Sequence, residues 1–328
     1  MHRFSKITVI LIVGLSAILI APVHRVFAQR DGANDTPSVT QPNKSASQNQ
    51  GDQPDPGRPH VTYYETGEKW TEGRYKNGKL EGLFTNWFKN GRQMNQSVFK
   101  EGKRHGLFLS WHHNGATREE GQYRHGEKNG MWTKWDEDGH KQSAIEWKND
   151  LREGDATLWH DNGIIFKTGR FRDGKEAGRW TTWDTDGKKL SEAIWRNGSL
   201  DGLATNWWKN GRKRDEGAYS QGIKYGIWFE WDQNGVQRVM QSYRKGMLDG
   251  RRIAWNSEGV RWREYTYFKG KLHGSFSDWH KNGELKGSGS YEDGYKHGKW
   301  LEWDYEGRLV REYSFKRGDP VSTSTSNQ

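Results

Sequence analysis

Twelve histidines and a ladder of aspartates are the residues of this chain that could do metal or acid–base chemistry. His112, His160 and His280 recur at multiples of 24 residues, as do His105, His273 and His297. Asp136, Asp184, Asp232 and Asp304 are spaced in the same way. A metal needs ligands that converge, yet His112-His113 is the single adjacent pair and no H-E-x-x-H occurs. A glycosidase needs two carboxylates at a set separation, one with a raised pKa; a ladder of equivalent acids offers no unique pair. The chain has no G-x-S-x-G, no P-loop and no Cys nucleophile. It reads as non-enzymatic, with no catalytic, cofactor or metal residues to assign.

The spacing of these side chains is that of an internal repeat. Taking Gly82 as place 0, glycines recur every 24 residues at Gly106, Gly130, Gly154, Gly178, Gly202, Gly226, Gly250, Gly274 and Gly298. A degenerate first unit starts at Arg58, giving eleven units with no insertion or deletion. Place 5 is Trp87, Trp111, Trp135, Trp159, Trp183, Trp207, Trp231, Trp255, Trp279 and Trp303, with Tyr63 in the first unit. Place 9 is always Gly, usually after Asn or Asp. Place 17 is always aromatic, from Tyr75 to Phe315, and place 20 is Gly except at Asp150.

Asn-Gly or Asp-Gly between runs of aromatic and β-branched residues predicts hairpins, with type I′ turns at both turn points of each unit. The runs between turns, such as LFTNWFK and MWTKWDE, suit one strand each. Helices are excluded by the glycine density. The fold expected is all-β: an antiparallel meander of two-stranded units, about twenty-two strands, elongated to ~100 Å if it neither closes nor coils. A two-residue hairpin places the second residue after each framing Gly opposite the fifteenth. Those pairs are Trp132 with Ile145, Ala156 with Gly169, Trp180 with Ala193, Ala204 with Gly217, and Trp228 with Gln241. Bulky and small pairs alternate, which predicts a 48-residue superperiod with each large ring over small neighbours. Regular pleating puts the place-5 and place-17 aromatics on opposite faces. The place-5 row led by Trp87 is expected to fill the core.

Composition bounds the rest. Hydrophobic residues are 31% of the chain, against 41 Gly and 19 Trp, so buried area must come from rings in thin sheets. Residues 1–28 have a basic start, MHRFSK, an apolar run and small residues at Val26 and Ala28, the layout of a cleaved signal peptide. The run is short for a spanning helix, so an N-terminal membrane anchor is the alternative reading. Without Cys, the exported chain stands without disulfides and has no lipidation site after the apolar run. Loss of Arg3, Lys6 and Arg25 leaves 49 bases against 42 acids, a net charge of +7. Residues 29–57 are polar and Pro/Gly-rich, a flexible linker. The repeat array spans 58–318, and 319–328 reads as a disordered tail.

The pattern G-x-W-x-x-W-x-x-x-G, as in GMWTKWDEDG and GKWLEWDYEG, followed by an aromatic and a Gly, resembles the MORN-repeat variant family of bacterial proteins. The resemblance implies an elongated β array for protein or membrane association, without catalysis; members carry antitoxin or membrane-binding labels. The signal peptide argues against an intracellular antitoxin. The 24-residue period with Trp at place 5 departs from the shorter Tyr/Gly-dominated form, so lipid binding does not transfer.

Three binding roles follow for a periplasmic or extracellular protein, none with nucleic acid. A protein partner along the sheet is favoured, because repeated units suit avidity. Cell-wall polysaccharide stacked on exposed rings is the second, and an anionic membrane the third. The aromatics that the repeat does not require, Trp70, Phe88, Trp208 and Trp262, are the candidate ligand-facing residues. Phe88 and Trp208 share a place with His112, His160 and His280, and such a row of flat rings could line one groove.

Overall fold

The structure is a computed structural model that describes residues 58–325; the signal peptide (1–28) and the linker (29–57) lie outside the described residues. All described secondary structure is strand. Twenty-four strands, from His60–Tyr63 to Asp319–Thr325, form one antiparallel sheet, while Tyr75–Lys76 and Lys79–Leu80 make a separate two-stranded hairpin beside it in the chain. The first and last strands do not pair with each other, so the meander is open. Within the expected tail, 319–325 is a strand: Asp319–Thr325 pairs with Leu309–Lys316 after a turn at Arg317-Gly318 that repeats the earlier ones, and 326–328 lie outside the described residues.

The two turns of a unit differ, which corrects the expectation of type I′ at both. Around Asp136 the N–H donates to the His140 carbonyl (3.0 Å) and the Gly139 N–H donates to the Asp136 carbonyl (3.2 Å). Gly139 alone takes positive φ, 86°, which makes a three-residue loop with glycine at the left-handed position. Asn at place 8 serves this loop through its side chain: Asn114 Oδ1 accepts the Ala116 N–H (2.8 Å), and its amide donates to the Glu137 carbonyl of the next unit (2.7 Å). The second turn is type I′, with φ of 51° at Asn197 and 79° at Gly198.

The predicted register nevertheless holds: Trp132 faces Ile145, Ala156 faces Gly169, Trp180 faces Ala193, Ala204 faces Gly217 and Trp228 faces Gln241. The three-residue loop slips the pairing by one, and a bulge restores it between Trp135–Lys141 and Lys134–Ser143. The two irregularities cancel before the core is reached.

One face of the sheet, called here the ring face, carries places 2 and 17. Trp132, Trp180, Trp228 and Trp300 at place 2 are buried, each lying over Gly121, Gly169, Gly217 or Gly289 of the preceding strand. Place-17 aromatics meet them edge-on, as Tyr219 does at 5.0 Å and Tyr291 at 5.1 Å. The indole N–H of Trp132, Trp228 and Trp300 donates to a carbonyl of the strand beneath at 3.1 Å. Lys128, Lys224 and Lys296 lay their ammonium groups over the same rings at 3.9 to 4.2 Å. A one-layer sheet thus covers its own rings. The place-5 row led by Trp87, expected as core, lies by strand alternation on the other face and is half-buried.

The superperiod also runs along the wide-turn edge. Each unit with Trp at place 2 has Asp at place 6, and its predecessor has Gly at place 15 and His or Trp at place 6. The unit from Gly250 to His273 stands outside this alternation and shifts its phase by one unit.

Candidate interaction surface

The place-6 histidines and aspartates are engaged within the repeat. His112, His160 and His280 place Nε2 at 2.9 to 3.0 Å from the carbonyls of Trp135, Trp183 and Trp303 in the following units. Asp184 Oδ1 accepts the N–H groups of Asp186 (3.0 Å) and Lys188 (2.9 Å), and chiefly the Lys188 N–H holds its carboxyl below the ordinary value. Asp304 caps its own turn in the same way. Among the described residues, Asp136, Asp138 and His140 form the one group of three possible metal ligands with atoms within 4.8 Å of one another. There Asp136 Oδ1 already accepts two turn amides.

The four candidate ligand-facing aromatics are not brought together. Trp208 donates its indole N–H to the Trp231 carbonyl (3.0 Å) and is half-buried. Phe88 stacks on His113 with centroids 3.9 Å apart. These two tie one unit to the next rather than present free faces. Trp70 and Trp262 are exposed, but they occupy one place eight units apart. Arg263 stacks on Trp262 at 4.6 Å, and Tyr64 lies 5.8 Å from Trp70. The place-5 tryptophans lie under cations of the preceding unit at several positions, such as Lys189 over Trp207 (5.0 Å) and Arg261 over Trp279 (4.1 Å).

What the sequence reading missed lies on the face opposite the rings, here the open face. Place 1 follows the framing Gly and must point away from place 2. It holds Leu83, Leu107, Met131, Leu203 and Ile227, all exposed; Leu203 is 54% and Ile227 53% accessible. Place 16 pairs across from it: Leu83 faces Val98, and Leu203 faces Ala218. Ile194 on the strand before Leu203, and exposed Tyr225 opposite Ala218, extend the second patch. Between the two apolar patches the same row reads Glu146, Asp155, Arg170 and Arg179. Asp155 and Arg170 face each other and pair at 2.8 Å while about 70% exposed. The sequence signal for this row is an apolar residue directly after the frame glycine in five units.

Comparison with known families places the unit. Residues 272–293, one hairpin of this sheet, match the MORN repeat variant family. The chain carries a MORN-variant repeat. The other units repeat that hairpin in phase on both sides of it. No curated protein matches the chain. Similar solved structures include the "Crystal Structure of TcdB2-TccC3-Cdc42", at 13% identity and a TM-score of 0.17. Another is the "Crystal Structure of TcdB2-TccC3 without hypervariable C-terminal region", at 10% identity and 0.18. Each similarity covers 82% of this chain but only 16% or 17% of the other.

Proposed function

We propose that this chain is an exported, non-enzymatic scaffold of the cell envelope that binds a protein partner on the open face of its MORN-variant sheet. The observation that carries this reading is the row of exposed large apolar residues at one repeat place, with Leu203, Ile227, Tyr225 and Ile194 on neighbouring strands. Contiguous exposed apolar surface on an otherwise polar protein marks interaction sites. The chemically capable side chains support the same reading, since the histidines and aspartates of place 6 serve turns and unit junctions. Residues 1–28 support export. Polysaccharide binding by stacked rings has less support, because Phe88 and Trp208 are engaged within the sheet.

The test is capture from an envelope fraction with the chain as bait, beside a Leu203→Asp/Ile227→Asp variant. Both positions are exposed, so the variant keeps the fold. A protein retained by the wild-type chain and lost by the variant is the expected outcome. Equal retention by both, or none by either from a chain that sediments as a monomer, removes the open face as the binding surface.

A further inference from the structure

The open-face row has a second property: its order is complementary to its own reverse. Along successive strands it reads Leu83, Val98, Leu107, Gln122, Met131, Glu146, Asp155, Arg170, Arg179, Ile194, Leu203, Ala218, Ile227. Largely apolar residues flank a centre of two acids followed by two bases. We propose that the partner of this surface is a second copy of the chain, packed open face to open face about a two-fold axis.

The axis runs parallel to the strands, between those bearing Asp155 and Arg170. It reverses the strand order of the second copy while keeping each residue at its own height along the strand. Asp155 then meets Arg170 of the second copy, and Glu146 meets Arg179 of the second copy. Met131 meets Ile194, Leu107 meets Ala218 and Val98 meets Ile227; Gln122 against Leu203 and Leu83 against Ser242 are the two mixed pairs. Charge meets opposite charge and apolar meets apolar elsewhere, as an isologous interface requires. Among these thirteen residues no like charges come opposite one another; on the same row like charges meet at the outer ends, Arg74 against Arg251. Moving the axis by half a strand spacing sets Arg170 or Asp155 against itself, and a full spacing sets Arg170 against Arg179 or Asp155 against Glu146.

Two details of the centre favour close approach. Place 3 and place 14 on the same face hold Ala144, Thr157, Thr168 and Thr181, small residues in a continuous ladder. They leave room for two sheets to stack at ~10 Å with nearly aligned strands. The Asp155–Arg170 pair within one chain is highly exposed, and such pairs contribute little, so both groups are available to a second copy.

This inference rests on reading the open face as a protein-binding surface, and the experiment separates the two. Sedimentation of the purified chain is compared with an acidic variant, Arg170→Glu/Arg179→Glu, and a basic variant, Glu146→Arg/Asp155→Arg. All four positions are polar and on the sheet surface, and circular dichroism confirms that each variant keeps its strands. The wild-type chain is expected to be a dimer. Each variant alone should dissociate at least about tenfold more readily, since like charges then face each other. Mixed one to one, the two variants should recover the dimer as a heteropair. A wild-type monomer, a dimer indifferent to both variants, or a mixture that stays monomeric overturns the proposal. A monomer that still captures an envelope protein through Leu203 and Ile227 overturns self-association only; a monomer that captures nothing overturns both readings.

Discussion

Trp180 lies flat over Gly169, and a methyl group on that glycine would sit 2.1 Å from Cδ2 of the indole. The same relation joins Trp132 to Gly121, Trp228 to Gly217 and Trp300 to Gly289. Gly169 does not have positive φ, so its role is to let a ring approach the backbone, not to bend the chain. Gly169→Ala must therefore displace Trp180 and is expected to cost about 1–3 kcal/mol by overpacking. Denaturant midpoints report it. Combining it with Trp180→Leu, which removes the clashing ring, should make the alanine nearly neutral; an alanine equally costly in both backgrounds would contradict the contact.

How much of this was legible in the sequence depends on what repeats. The all-β meander and its pairs follow from an invariant period, and Trp180 opposite Ala193 is found as the spacing predicts. The turn type was not legible. Asn-Gly suits a type I′ turn, but the Asn side chain also caps a three-residue loop, and the Asn114 amide reaching Glu137 belongs to a neighbouring unit. The frame tryptophans misled for a related reason: place 5 packs against the preceding unit, while the buried place 2 alternates between Trp and Ala through the middle of the array. The open-face row was hidden because a single Leu after a Gly carries no weight until strand neighbours are known.

The narrow turns hold non-glycine residues in the left-handed region, among them Gln221 at φ 49° and Lys245 at φ 51°. Asparagine adopts that conformation with less strain than Gln or Lys. Gln221→Asn and Lys245→Asn are each expected to stabilise the sheet, by up to about 1 kcal/mol. The two turns lie in adjacent units, and additive gains in thermal midpoint are the expected result. A loss of stability at either position would show that its side chain makes a contact worth more than the strain.

Trp208 forms a junction between units. Its N–H donates to the Trp231 carbonyl, the acceptor that His160 finds in Trp183 elsewhere in the array. Trp208→Phe keeps a ring but removes the donor, and should cost about 1 kcal/mol. Trp208→His, which mimics the other units, should recover part of that loss. Capture of protein by the folded chain should be the same for all three forms, in contrast to the Leu203→Asp/Ile227→Asp variant.

Lys167 gives the sheet a specific dependence on alkaline pH. It is 4% exposed, with its ammonium 4.4 Å from the Trp180 ring and 5.7 Å from that of Trp195. The cation over the place-2 ring usually comes from place 22, as with Lys224, but that place holds Glu176 here, and Lys167 supplies the charge from another strand. Burial pushes its pKa below the ordinary lysine value, opposed by the charge of Glu176. The unfolded chain therefore binds more protons than the folded one between the lowered pKa and the ordinary value near ~10.4. Stability contributed at this site rises as pH climbs through that window and is complete above it. Tyr219 and Tyr243 work the other way: burial raises their pKa, so their contribution is lost as pH passes the tyrosine range. Subtracting the stability of Lys167→Met from that of the wild-type chain at each pH isolates the lysine. The difference should move in favour of the wild type between neutral pH and pH of about 10. A flat difference would mean that the ammonium is solvated and that the rings of Trp180 and Trp195 do not enclose it.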